Sequence, residues 1–167
     1  QFGVHLTDPL SLRDWSLRAE YVAVMPWVYS HYVTSTNSYT SNNRSLGYWA
    51  GSNSLVVLGE ISKYWSHRLK TRVKVTHYKH GANFDDKNIG GDVLVDHTEL
   101  LGGQTERVYY PRFLDGEVTG RFSLEAQADY EVFNDAFVDV EIRRHVVSEP
   151  GRTHSFHELS FRIEARY

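Results

Sequence analysis

The sequence contains no cysteine, one methionine and four prolines among 167 residues. Without cysteine there are no disulfides, no zinc–thiolate sites and no thiol nucleophile. No stretch of about 20 apolar residues occurs, which excludes a transmembrane helix. The longest run free of Asp, Glu, Lys and Arg, residues 21–43, turns polar in its second half with Ser, Thr, Asn and Tyr. Excess charge of one sign is missing too. Eighteen Lys and Arg against 21 Asp and Glu leave a net charge of -3, which gives no general pull toward nucleic acid. Helical spacing is also scarce, with no convincing run at i, i+3, i+4, i+7. What the chain does have is aromatics, 14% of residues, more than a disordered segment carries. The length suits a single domain spanning residues 1–167.

Alternation with period two is strong and repeated. Phe122, Leu124, Ala126, Ala128 and Tyr130 fall on one face, opposite Arg121, Ser123, Glu125, Gln127 and Asp129. The same pattern predicts strands at Trp15–Leu17–Ala19–Tyr21–Ala23–Met25 against Arg18 and Glu20, and at Leu55–Val57–Gly59–Ile61 against Glu60. It recurs at Leu69–Thr71–Val73–Val75 against Lys70, Arg72 and Lys74, and at Ala136–Val138–Val140–Ile142 against Asp139, Glu141 and Arg143. The last is Leu159–Phe161–Ile163–Ala165–Tyr167 against Glu158, Arg162 and Glu164. Phe2, Val4 and Leu6 read as the end of an earlier strand, closed by a turn at Asp8-Pro9. The chain is therefore expected to start in mid-strand.

Connections between strands alternate long (residues 28–53), short (63–68), long (80–116), short (131–135) and medium (146–155, with Pro150-Gly151). In a meander this puts the long loops at one end and the short turns at the other.

Alternation alone does not say which face meets water. A soluble barrel turns its apolar face inward; an outer-membrane barrel turns it to lipid and keeps a polar lumen. Strand length, segregated loops, a dense charged face and a chain ending in alternating residues with an aromatic favour the membrane. The expected fold is all-β: an antiparallel meander of six to seven strands forming part of a transmembrane outer-membrane β-barrel. Six complete strands fall short of the roughly eight of the smallest barrels, so the chain is expected to be a C-terminal segment of a larger one. Trp15, Leu17, Tyr21, Phe122, Leu124, Tyr130, Phe161, Ile163 and Tyr167 are then lipid-facing or girdle residues. Arg18, Glu20, Lys70, Arg72, Lys74, Glu125, Arg143, Arg162 and Glu164 line the lumen. The bilayer is the first partner. Long loops are placed outside the cell and the C-terminus in the periplasm.

Several segments carry a family resemblance. Glu20-Tyr21, Pro26-Trp27-Val28-Tyr29-Ser30-His31 and Ser45-Leu46-Gly47-Tyr48-Trp49-Ala50-Gly51-Ser52-Asn53 resemble the C-terminal half of the Wzi-like capsule-assembly outer-membrane proteins. His80-Gly81-Ala82-Asn83 and Asn88-Ile89-Gly90-Gly91-Asp92 match a second segment. Ser45 and Ser52 stand where the family usually has proline, which alters loop rigidity. The resemblance implies a non-enzymatic barrel, without cofactor, that binds or assembles surface (capsular) polysaccharide beside other envelope proteins. It implies no catalytic residue.

Sugar binding needs aromatic faces for pyranose rings and amides or carboxylates for hydroxyls. Tyr39, Asn43, Arg44, Tyr48 and Trp49 in the first long loop, and Asn83, Asp85 and Asp86 in the second, are the candidates; a solvated loop packed by its own aromatics is the plainer alternative. Lys70, Arg72 and Lys74 suit either an anionic polymer or an ion-pair ladder with Glu60, Glu125 and Asp129, and the ladder is favoured. Asp86, Asn88 and Gly90 begin like a calcium loop but lack its closing glutamate. His77 and His80 lack a third ligand, so no metal is expected. Gly-x-Ser-x-Gly is absent. The rival functions are a porin-like or secretion-associated channel, an outer-membrane esterase and a soluble lipid-binding barrel.

Overall fold

The computed structural model describes residues 1–29, 39–42, 44–95, 106–133 and 136–165. In chain order the strands are β1 (Phe2–Thr7), β2 (Trp15–Val24), β3 (Thr40–Ser41), β4 (Arg44–Ser45), β5 (Ser54–Tyr64), β6 (Leu69–Ala82), β7 (Lys87–Asn88), β8 (Glu106–Arg107), β9 (Glu117–Phe133), β10 (Ala136–Glu149) and β11 (Arg152–Ala165). Only a short 3-10 turn, Pro9–Ser11, is helical among the described residues. Seven strands form one sheet in the order β1-β2-β5-β6-β9-β10-β11. Every neighbour in it is antiparallel. The sheet is an open meander: β1 and β11 are its edges. Two small ladders, antiparallel β3-β4 and parallel β7-β8, lie in the long connections.

Four connections match their expected lengths and one does not. Residues 146–155 are not a medium loop. β10 and β11 pair to Glu149↔Arg152, leaving a two-residue turn at Pro150-Gly151. Proline fixes the first central φ and Gly151 supplies the positive one, 76°, that this tight turn needs. Adjacent Val146-Val147 and Arg144-His145 hide the alternation there. β6 and β9 also run on to 14 and 17 residues, well past their apolar stretches.

The register separates the chemistry of the two faces. Leu6, Leu17, Ile61, Val73, Ala126, Ile142 and Leu159 form one continuous row across all seven strands. On the other face the adjacent row is His5, Arg18, Glu60, Lys74, Glu125, Arg143 and Glu158. From Arg18 onward its sign alternates at every step, as the ladder reading expects. Lys74 Nζ is 3.2 Å from Glu125, and Arg143 is 2.7 Å from Glu141 and 3.6 Å from Glu158. Arg72 donates to Gln127 in the next row.

All the lumen-assigned residues of the sequence reading share this charged face, and the lipid-assigned ones that the structure describes share the other. Tyr167 lies outside the described residues. The apolar face is the uncovered one: Phe161 is 64% exposed and Ile163 71%. The buried residues of the sheet that carry a side chain, Val22, Val24, Ser54, Val56 and Ser123, are all on the charged face.

The apolar stretch climbs relative to the register. In β2 it reaches Ala23, which is in register strand by strand with Thr153 of β11. In β11 it begins only at Leu159. That is about six residues over five steps, or roughly 1.2 × 3.3 Å along the strand for each ~4.8 Å across it. The angle is about 40°, the strand tilt of a closed barrel.

Reversing one rung tests the ladder. Lys74→Glu sets three carboxylates in register with Glu60 and Glu125 and is expected to cost about 1–2 kcal/mol. Adding Glu125→Lys restores one pair, so a denaturant midpoint recovered in part by the double variant checks it.

Candidate functional site

The two long connections fold over the charged face at one end of the sheet. A small core forms there from Val22, Val24, Ala50 and Val56, flanked by Val28, Tyr29, Tyr48 and Tyr78. Asn53 joins the pieces. Its Nδ2 donates to Gly81 O and Asp115 O, both at 2.8 Å, and its Oδ1 accepts from Leu114 N at 2.8 Å. A side chain at Gly81 would strike Asp115 O and Asn53, so glycine is required there. Asn83 Oδ1 accepts from Ile89 N and Gly91 N, both at 3.0 Å. Trp27 Nε1 donates to Val108 O at 2.9 Å. Its indole packs on Gly90, whose φ of 74° leaves no place for a side chain.

An open cleft of about 530 Å³ lies between these loops. Trp49, Ser52, Tyr78, His80, Asn83 and Asp92 are among its walls. Trp49 is two-thirds exposed, with its ring 5.4 Å from that of Tyr78 and 5.7 Å from that of Tyr48. His80 stacks beyond Tyr78 at 6.3 Å. The Tyr78 hydroxyl donates to Ala50 O at 3.4 Å, and His80 Nε2 lies 2.8 Å from Gly91 O. Ser52 Oγ is buried and has no hydrogen-bond partner among the described residues. Trp49 and Tyr78 also border a second cleft, of about 310 Å³, with Lys74, Arg121, Glu125 and His145 in its wall. The arrangement offers flat aromatic surface flanked by amide, carboxylate and hydroxyl groups.

Of the sequence candidates, Trp49 and Asn83 line this cleft, and Tyr48 touches it only through its ring contact with Trp49. Tyr39 instead stacks on Tyr29 at 5.9 Å. Asp85 and Asp86 are exposed and do not line the cleft. Arg44 lies in β4, and Asn43 falls outside the described residues. Tyr78, His80, Ser52 and Asp92 were not singled out as sugar-binding candidates. Continuing the Lys70–Lys74 alternation by two more steps reaches Tyr78, and by three His80. His77 and His80, an odd number apart in one strand, point to opposite faces. No group of three potential ligands capable of holding a metal occurs among the described residues. In the β7-β8 ladder, Lys87 Nζ lies 3.1 Å from Glu106. That hydrogen bond and charge hold the ammonium above the ordinary lysine range, so the pair persists through neutral pH and is lost as pH rises through the raised value.

No family model matches the chain, nor does any curated protein or solved structure. Its class rests on the fold itself: an all-β chain built on a seven-stranded antiparallel meander with one apolar and one charged face.

Proposed function

We propose that this chain is part of a β-barrel of the bacterial outer membrane, and that it binds surface polysaccharide without catalysing a reaction. The apolar face meets lipid, the charged face lines the lumen, and the long loops lie outside the cell. The carrying observation is the exposed apolar face backed by a charged face whose signs alternate in register. In β2 and β9 the apolar stretch runs nine residues, Trp15 to Ala23 and Phe122 to Tyr130. That is roughly 26 Å along the strand and about 20 Å after tilt, near the ~25 Å apolar band of such barrels. Seven strands leave β1 and β11 running in the same direction. An antiparallel ring therefore needs an odd number of further strands, which this proposal takes from outside the 167 residues. The resemblance to Wzi-like proteins supports the role.

The glycan reading rests on the Trp49–Tyr78 platform and its polar rim. Trp49→Ala removes an exposed ring without disturbing the core. It is expected to weaken glycan binding about tenfold, measured on an array or by titration, since one aromatic face is worth roughly 0.5–1.5 kcal/mol beyond its area. Equal binding by the variant counts against this site. The channel alternative predicts steady ion conductance in a planar bilayer, whereas the loops folded over the charged face predict little.

A further inference from the structure

The apolar face carries charge of one sign only. Every Asp and Glu in the seven strands of the main sheet lies on the opposite face. The basic groups on the apolar face are Lys63 near the short turns, and His77, Lys79, Arg144 and His157 toward the long loops. Lys63 is accounted for locally, its ammonium 3.9 Å from the centre of the Trp65 ring and 4.9 Å from that of Trp15. The other four have no ion-pair partner among the described residues. His77, Arg144 and His157 are exposed.

His77, Arg144 and His157 sit near one level, with Lys79 one same-face step above His77 on β6. Arg144 is the direct cross-strand neighbour of His157, and its row crosses β6 at Val75. The climb of the band, about 1.2 residues per strand over two strands, brings Arg144 level with His77. On each strand the bases stand immediately above the apolar stretch: His77 above Val75, Arg144 above Ile142 and His157 above Leu159. Below and between them are exposed Phe122, Leu124 and Ile142. Bases just above an apolar band, with no acid among them, complement an amphiphile whose anionic head joins acyl chains. Arginine forks and ammonium groups recognise phosphate oxygens, and the cost of a cation on a lipid face falls toward zero near the interface.

We propose that His77, Lys79, Arg144 and His157 form a binding site for the phosphate groups of a lipid in the leaflet at the long-loop end, with its acyl chains against Phe122, Leu124 and Ile142. This rests on the barrel reading. The test uses the full protein in phosphatidylcholine vesicles doped with lipid A carrying two phosphates or with its dephosphorylated form. Lipid retained after extraction is quantified by mass spectrometry, and insertion is followed by protease protection. The wild type is expected to retain the phosphorylated form roughly tenfold better, equivalent to about 1.4 kcal/mol. The double variant Lys79→Gln/Arg144→Gln should lose that preference while inserting as well as the wild type. Insertion with equal retention of both lipids overturns the site and leaves the barrel standing, as does an unchanged preference in the double variant. Displacement of the lipid by millimolar inorganic phosphate overturns the choice of a lipid as occupant. Failure of the wild type to insert in plain phosphatidylcholine overturns the barrel reading and this site with it.

Discussion

Replacing Asn53 by alanine is expected to lower the free energy of unfolding by about 3–5 kcal/mol, a larger effect than at any other position considered for this chain. The variant leaves the carbonyls of Gly81 and Asp115 and the amide of Leu114 without their partners. Each buried group so stranded costs about 1–3 kcal/mol. Asn53 also sits at a φ of 48°, where asparagine is tolerated and alanine is not. The neighbouring residue supplies the control. Ser52 Oγ has no partner among the described residues, so Ser52→Ala is expected to change stability by less than about 0.5 kcal/mol. Asn53→Asp keeps an acceptor for Leu114 but sets a carboxylate against two carbonyl oxygens, and should be no milder than alanine. Denaturant midpoints of the three variants decide the matter. A small effect of Asn53→Ala would mean that the loops are not held by this hub.

The seven strands were legible because each buries or exposes a whole face, and a period-two pattern reports that directly. Trp15–Ala23 and Phe122–Tyr130 are unambiguous for this reason. The pattern failed where a face changes character along its length. Val22, Val24 and Val56 lie on the charged face but are apolar, because the loops cover them. His77, Arg144 and His157 lie on the apolar face but are basic. The site was half legible: Trp49 and Asn83 stand out in loops, whereas Tyr78 and His80 belong to a strand whose end the hydrophobic pattern does not mark. Asn53 is invisible to any periodicity. Its role depends on residues 28 and about 60 positions away in sequence, brought together only by the meander. Of the motif residues behind the family resemblance, Trp27, Asn53, Gly81 and Gly90 hold the loop framework, whereas Trp49 and Asn83 line the cleft.

Val73→Arg separates the two possible surroundings of the apolar face. Val73 lies in the middle row, in register between Ile61 and Ala126, and is 40% exposed. Facing lipid at mid-depth, an arginine there should cost about 2–4 kcal/mol. Facing water, it replaces one exposed side chain by another and should cost less than about 0.5 kcal/mol. Nothing on the sheet softens the first outcome. Every acid of these strands is on the far face, so the guanidinium has no partner within reach and must climb past Val75 to find the basic level of His77. Ser160→Arg on the charged face is the matched control. It falls beside Glu141, to which Ser160 Oγ now donates at 3.5 Å, and is expected to stay within about 0.5 kcal/mol in either surrounding. Unfolding of both variants from phosphatidylcholine vesicles, compared with the wild type, gives the two numbers. A tolerated Val73→Arg would remove lipid from that face, and with it the lumen, the outside loops and the bilayer-bound phosphate site.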